Sequence, residues 1–269
     1  MSTFRFASLG DSVTSGYGDP MPGGSWRGWA AILAESLEPA HFTNLAVSGA
    51  RIADVAEQQL PAALELRPTL ASVLVGMNDT LRGDFDAGQL GVVLSDTVAA
   101  LTAAGATVLT ARLPDPGRMF GLPAMIARPL DRRMTALNET LDRIAAEHGT
   151  IHVDLAGRPE DTSVYARNNW SVDRLHPSER GHRLIAFRFA TALRAAGHVV
   201  PALPGLAATN PEPTLAARAW WLATEGNRWL LRRSTDLMPA LARMVAEEFR
   251  GGPHRIAPII TAPPNRNLR

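Results

Sequence analysis

The chain has 269 residues, with 27 basic and 26 acidic side chains and a formal net charge of +1. That length suits one large α/β domain, or a domain of about 200 residues with an appendage. A content of 46% hydrophobic and 20% charged residues argues against disorder as the main state, and the lack of cysteine excludes disulfides and thiolate metal sites. From the amino end, Phe4–Leu9 reads as a strand and Trp26–Leu37 as a helix. Phe42–Val47 is a second strand, followed by a helix over Ile52–Leu66 that Pro61 interrupts. Leu70–Gly76 is a third, β-branched apolar strand, and Ala87–Ala104 has helical spacing. Ala106–Leu113 is a fourth strand, Pro123–His148 a helical stretch that Pro129 is expected to break, and Thr150–Leu155 a fifth strand. Ser178–Ala196 closes the series as a helix with Ser178 as its cap.

Strands alternating with helices pair in parallel through right-handed crossovers, which gives an α/β sheet covered on both faces. In such open sheets ligands sit beyond the carboxyl ends of the strands. Past the fifth strand and its helix, the proline-rich segment 199–213 reads as a linker. Residues 1–204 hold 18 Arg against 21 acids (−3), and 205–269 hold 9 Arg against 5 acids (+4). This asymmetry places a boundary near residue 205, with 1–204 as the main domain and 205–269 as an extension. Helical spacing recurs there over Leu215–Arg233 and Asp236–Arg250. Residues 1–9 lack a basic-then-apolar leader, and no apolar run reaches the roughly 18 to 20 residues that span a bilayer. The expected location is therefore the cytoplasm.

Four strand ends carry chemistry. After the first strand comes Gly10-Asp11-Ser12; a serine at a strand-to-helix junction has its hydroxyl at the sheet edge and its N–H at a helix start that favours anionic charge. After the second comes Ser48-Gly49, where a missing Cβ lets the backbone N–H approach a ligand. After the third comes Met77-Asn78-Asp79, with an amide that donates hydrogen bonds, and ahead of the last helix comes Asp173-Arg174-Leu175-His176. Singly, each is an ordinary turn or cap. Together they supply a nucleophile, a base with its orienting acid, and donors for an oxyanion, which are the parts of acyl transfer.

In these blocks the chain resembles the SGNH hydrolases, the GDSL esterases and lipases, over residues 4–198. Ser12, Gly49, Asn78 and His176 match the four residues of the family's name, and Asp173 accompanies the histidine. Val13 stands where the motif has Leu. The resemblance implies a three-layer α/β/α sandwich on a five-stranded parallel sheet in flavodoxin-like order. It also implies a triad of Ser12, His176 and Asp173, an oxyanion hole from Ser12, Gly49 and Asn78, and no metal or organic cofactor. The implied substrate is a small or medium acyl ester of a carbohydrate, lipid or metabolite. An acyltransferase with the same site is one alternative, and a flavodoxin-like phosphate-binding module is another.

Other candidates have plainer readings. Asp11 and Asp79 suit turn bracing. His152 and Asp154 share a strand face, but two ligands without a third make a poor metal site. His182 packs or caps, and His41 and His148 sit at element ends facing solvent. Leu113–Arg118, with Met119, Phe120, Leu122 and Met125, either lines an acyl pocket or forms a mobile loop. Trp170 walls that pocket or anchors its loop. The Arg- and Trp-rich helix 215–233 docks on the domain or on a second subunit, with a membrane surface as the alternative. A net +4 over 65 residues is too dilute for nucleic acid.

Overall fold

The computed structural model describes residues 4–157, 162–210 and the single position 246. Five strands form one sheet in the order β2-β1-β3-β4-β5: β1 Arg5–Gly10, β2 His41–Asn44, β3 Leu70–Leu74, β4 Thr107–Arg112 and β5 Ile151–Asp154. All pairings are parallel. This is the flavodoxin-like order, and β1 and β3 are buried along nearly their whole length, as a sheet covered on both faces requires.

Helix α1 (Gly28–Leu37) packs on the final helix α8 (Glu179–Ala195), with Trp29 stacked on Phe189 at 4.9 Å. The other layer contains α2 (Ile52–Asp54), a π-helical turn Val55–Gln59, α3 (Leu60–Glu65), α5 (Ala87–Ala103) and α7 (Ala124–His148); α4 (Met77–Thr80) and α6 (Pro116–Phe120) are short turns at the strand ends. One continuous core of Phe6, Leu9, Leu33, Leu70, Leu101, Leu109, Leu137 and Phe189 joins the layers. Ser178 caps α8 as expected, its Oγ accepting from the Gly181 N–H at 3.3 Å.

Three elements differ from the expectation. Pro129 does not break α7, which runs unbroken for 25 residues. The proline sits near the amino end, where its missing N–H costs a single helical bond, and its ring is buried. The helix after β2 is not uniform either: it passes through the π turn, with Pro61 at the start of α3 where a missing donor is tolerated. His148 is not a free end group, since its Nε2 meets Ser95 Oγ at 2.8 Å. The helices expected over Leu215–Arg233 and Asp236–Arg250 lie outside the described residues. Among the described residues, no helix is long and apolar enough to cross a membrane.

Candidate active site

At the carboxyl end of β1 the chain turns sharply. Gly10 has φ +155°, and a Cβ there would sit 2.4 Å from the Leu74 carbonyl oxygen, so only glycine fits. The side chain of Gln59, carried by the π turn, clamps this point: its Oε1 accepts from the Gly10 N–H (2.8 Å) and its Nε2 donates to the Gly10 carbonyl (2.9 Å). Ser12 follows in a run of tight turns instead of a regular helix, with Ser15 N–H bonded to the Asp11 carbonyl (2.9 Å) and Tyr17 N–H to the Ser12 carbonyl (3.0 Å). Asn44, at the end of β2, donates to the Thr14 carbonyl at 2.8 Å and so holds the turn from the side.

The second loop comes from 160 residues further on. Ser171 N–H bonds the His176 carbonyl (2.9 Å), and a bridge between Trp170 and Pro177 closes the loop. Between them Arg174 takes a left-handed φ of 57°, which turns Asp173 and His176 inward together. Asp173 accepts from Ser171 Oγ (2.5 Å), from the N–H groups of Leu175 (2.9 Å) and His176 (3.0 Å), and from His176 Nδ1 (2.6 Å). Burial pushes its carboxyl up, but the bonds from His176 and Ser171 outweigh this and hold it below the ordinary carboxylate range. His176 Nε2 lies 2.9 Å from Ser12 Oγ, and both residues are buried. The tautomer that satisfies both partners carries its proton on Nδ1 and accepts the serine hydroxyl at Nε2. Such a chain can take a proton from a hydroxyl and hold the resulting imidazolium.

The other two sequence-predicted positions sit beside this chain. Gly49 lies in the turn after β2 with φ 85°, next to Ala50, whose carbonyl accepts from Asn78 Nδ2 at 3.0 Å. Asn78 Nδ2 also faces Asp11 Oδ2 at 3.4 Å, which links the ends of β1 and β3. The structure thus brings all five residues to one sheet edge.

Asp11 and Asp79 do brace turns. Asp11 Oδ1 accepts from the Val13 N–H (3.0 Å), and burial pushes its carboxyl up to about 6. Asp79 is fully buried and accepts from the Ile52 N–H (3.2 Å) and Arg51 Nε (3.3 Å), while Arg51 also forks onto Asp84 with two bonds of 3.1 Å. The Gly49 and Asn78 loops are tied together by that pair. His182 receives the Trp29 N–H on Nδ1 (3.2 Å) and donates from Nε2 to the Tyr17 carbonyl (3.0 Å); burial brings its pKa down to about 4. His152 bonds Thr110 and Asp142, and among the described residues no three His, Asp or Glu side chains gather as a metal site.

An apolar cleft of about 810 Å³, including its open mouth, begins at Ser12, Asn78 and His176. Leu113, Pro114, Met119 and Trp170 line it; residues 115–118, Phe120, Leu122 and Met125 do not, and Met125 is exposed. Trp170 both walls the cleft and anchors its loop, donating to the Val164 carbonyl at 2.9 Å.

Sequence reasoning missed three contributors. Tyr17 packs its ring on His176 at 4.4 Å and on Trp26 at 4.5 Å. Gln59 lacked any signal, because its role depends on a π turn. Glu179 is buried and gathers Arg27 (2.9 Å), Arg183 (2.8 Å), Thr209 Oγ1 (2.7 Å) and the Asn210 N–H (2.7 Å), while Arg27 also holds buried Asp19. These bonds overcome burial and bring Glu179 down to about 2, joining the Ser12 turn, the start of α8 and residues 209–210.

The model of the GDSL-like lipase/acylhydrolase family matches residues 8–184, about two thirds of the sequence. The chain belongs to that family. By family it is a carboxylic ester hydrolase. Solved structures of similar fold include TesA, 23% identical with a TM-score of 0.56, covering 71% of this chain and 98% of that one. Axe2, an acetylxylan esterase from Geobacillus stearothermophilus, is 19% identical with a TM-score of 0.56, covering 71% and 94%. The psychrotrophic esterase EstA from Pseudoalteromonas sp., in a structure inhibited by monoethylphosphonate, is 19% identical with a TM-score of 0.52, covering 71% and 97%. No curated protein matches the sequence. The structural likenesses establish the shared α/β fold of this GDSL-like chain.

Proposed function

We propose that the chain is a serine esterase whose catalytic unit is residues 1–204. Ser12 Oγ attacks the acyl carbonyl as His176 Nε2 accepts its proton, and Asp173 holds the imidazole tautomer and stabilises the imidazolium. The N–H groups of Ser12 and Gly49, with the Asn78 amide, donate to the oxyanion of the tetrahedral intermediate. His176 returns the proton to the leaving alkoxide, leaving an acyl-Ser12 ester. Water then attacks that ester with His176 again as base, and collapse releases the carboxylic acid and frees Ser12. The observation that carries this reading is the continuous run from Ser12 Oγ through His176 to Asp173, with bonds of 2.9 and 2.6 Å. A phosphate-binding module has no use for that run.

The test is active-site labelling. A fluorophosphonate should label the wild type at Ser12, found by peptide mass spectrometry, and labelling should disappear in Ser12→Ala. Labelling elsewhere, or none alongside undiminished ester hydrolysis, overturns the assignment.

A further inference from the structure

The cleft does not stop at the reacting groups. On α8, Gly181, Leu184, Ile185 and Arg188 stand at i, i+3, i+4 and i+7, and all four line it. Gly181 is pressed against the loop before the helix: a Cβ there would lie 2.1 Å from the Asn169 carbonyl oxygen. That contact sets the stripe beside His176 and Pro177, where the cleft begins. At the other end the Arg188 guanidinium donates to the Asp154 carbonyl, at the carboxyl end of β5. Leu113, Met119, Leu155 and Val164 line the same cleft. Seven residues of helix advance roughly 10 Å. An extended chain advances about 1.2 Å per bond, so the stripe matches an alkyl chain of about eight carbons.

We infer that this cleft is the acyl subsite and that the substrate is an ester of a medium-chain aliphatic acid, with the alkyl chain laid along Leu184 and Ile185 toward Arg188. The inference rests on Ser12 being the nucleophile, since that fixes the end from which the acyl chain enters. Between the reacting groups and Arg188, whose guanidinium is bonded to the Asp154 carbonyl, Leu113, Met119, Leu155, Val164, Leu184 and Ile185 offer a chain apolar surface, so each added methylene is stabilised by burial. An acetyl group leaves nearly all of this surface unused.

The test is a series of p-nitrophenyl esters from acetate to dodecanoate on the full chain, with Leu184→Trp as the variant. In the wild type, kcat/KM should rise about three- to fourfold per methylene, roughly 100-fold from acetate to hexanoate, and level off near eight carbons. Leu184→Trp, which places an indole in the cleft, should lower the octanoate-to-acetate ratio at least tenfold. A wild type that hydrolyses acetate as well as hexanoate overturns the inference, and so does a Leu184→Trp profile identical to the wild type. Should the variant not fold, the wild-type profile alone decides. A small alkyl fluorophosphonate separates the two readings: a labelled Ser12 with a flat profile removes only the acyl subsite, whereas an unlabelled Ser12 removes the nucleophile on which it rests.

Discussion

The two sides of the candidate site are built in different ways. On the side of Ser12, His176 and Asp173, two loops distant in sequence are locked by short bonds between buried and half-buried groups, and Asp173 alone accepts four. Behind them Glu179, Arg27 and Asp19 tie the serine turn to the start of α8. On the side of Gly49 and Asn78, the tie is one half-exposed arginine, Arg51, between Asp79 and the exposed Asp84. There the Asn78 amide rests on the Ala50 carbonyl and, at longer range, on Asp11. The proton-transfer side is held rigid from several directions, whereas the donor side depends on a few contacts that a substrate can exchange.

Breaking the rigid side should have the largest effect. Ser12→Ala should lower kcat for p-nitrophenyl hexanoate by on the order of 10⁴-fold or more, with a melting temperature close to that of the wild type. A variant retaining a tenth of the activity would exclude Ser12 as nucleophile. On the donor side, Asn78→Ala should cost about 100- to 1,000-fold in kcat with little change in KM, because its amide is needed most when the oxyanion forms.

The contrast sharpens one step further out. Asp79→Ala leaves the buried Ile52 N–H without its acceptor, which should cost about 1–3 kcal/mol of stability by chemical denaturation. It should also lower kcat about tenfold by loosening the loops that carry Gly49 and Asn78, a smaller loss than that of the donor itself. If kcat stays unchanged while stability falls, Asp79 braces the fold and not the site.

The remaining effect leaves the reacting groups in place and is read in the pH dependence of stability. Asp11, ordinarily near 3.8 and raised to about 6, costs stability when ionised: the folded state binds the proton more tightly, so stability falls as pH rises between about 4 and 6. His182, lowered to about 4, acts in the opposite sense over nearly the same window, its stabilisation being complete above 6.5 and lost as pH falls through 4. Glu179, lowered to about 2, stabilises fully above 4.5 and loses this as pH falls toward 2. Asp11→Asn removes the first contribution only. Compared with the wild type, it should be more stable at pH 8 than at pH 4 by up to about 3 kcal/mol, read from urea unfolding at the two pH values. An identical pH profile in both proteins would mean that Asp11 is not desolvated as the structure has it.

Ser12, Gly49, Asn78, Asp173 and His176 were legible because each follows or precedes an element whose period is written locally, and the rule that parallel sheets bind ligands at strand ends needs no coordinates. The alternation implied parallel pairing, whereas the strand order was implied only by the resemblance to the SGNH hydrolases. Gln59, Tyr17 and Glu179 were not legible, because each acts on a group 31 or more positions away or through a turn type that leaves no compositional mark. Pro129 misled for the related reason that a proline's cost depends on where in the helix it falls and on what its ring packs against.

By itself the sequence determined the elements, their alternation and the chemical types gathered at the strand ends, since these depend on hydrophobic period and local backbone preference. Only the tertiary structure decided which side chains face one another across loops 160 residues apart, and that one face of α8 lines an apolar cleft beside them. Those outcomes depend on packing between elements, where burial and hydrogen bonding are shared among residues that the linear order keeps apart.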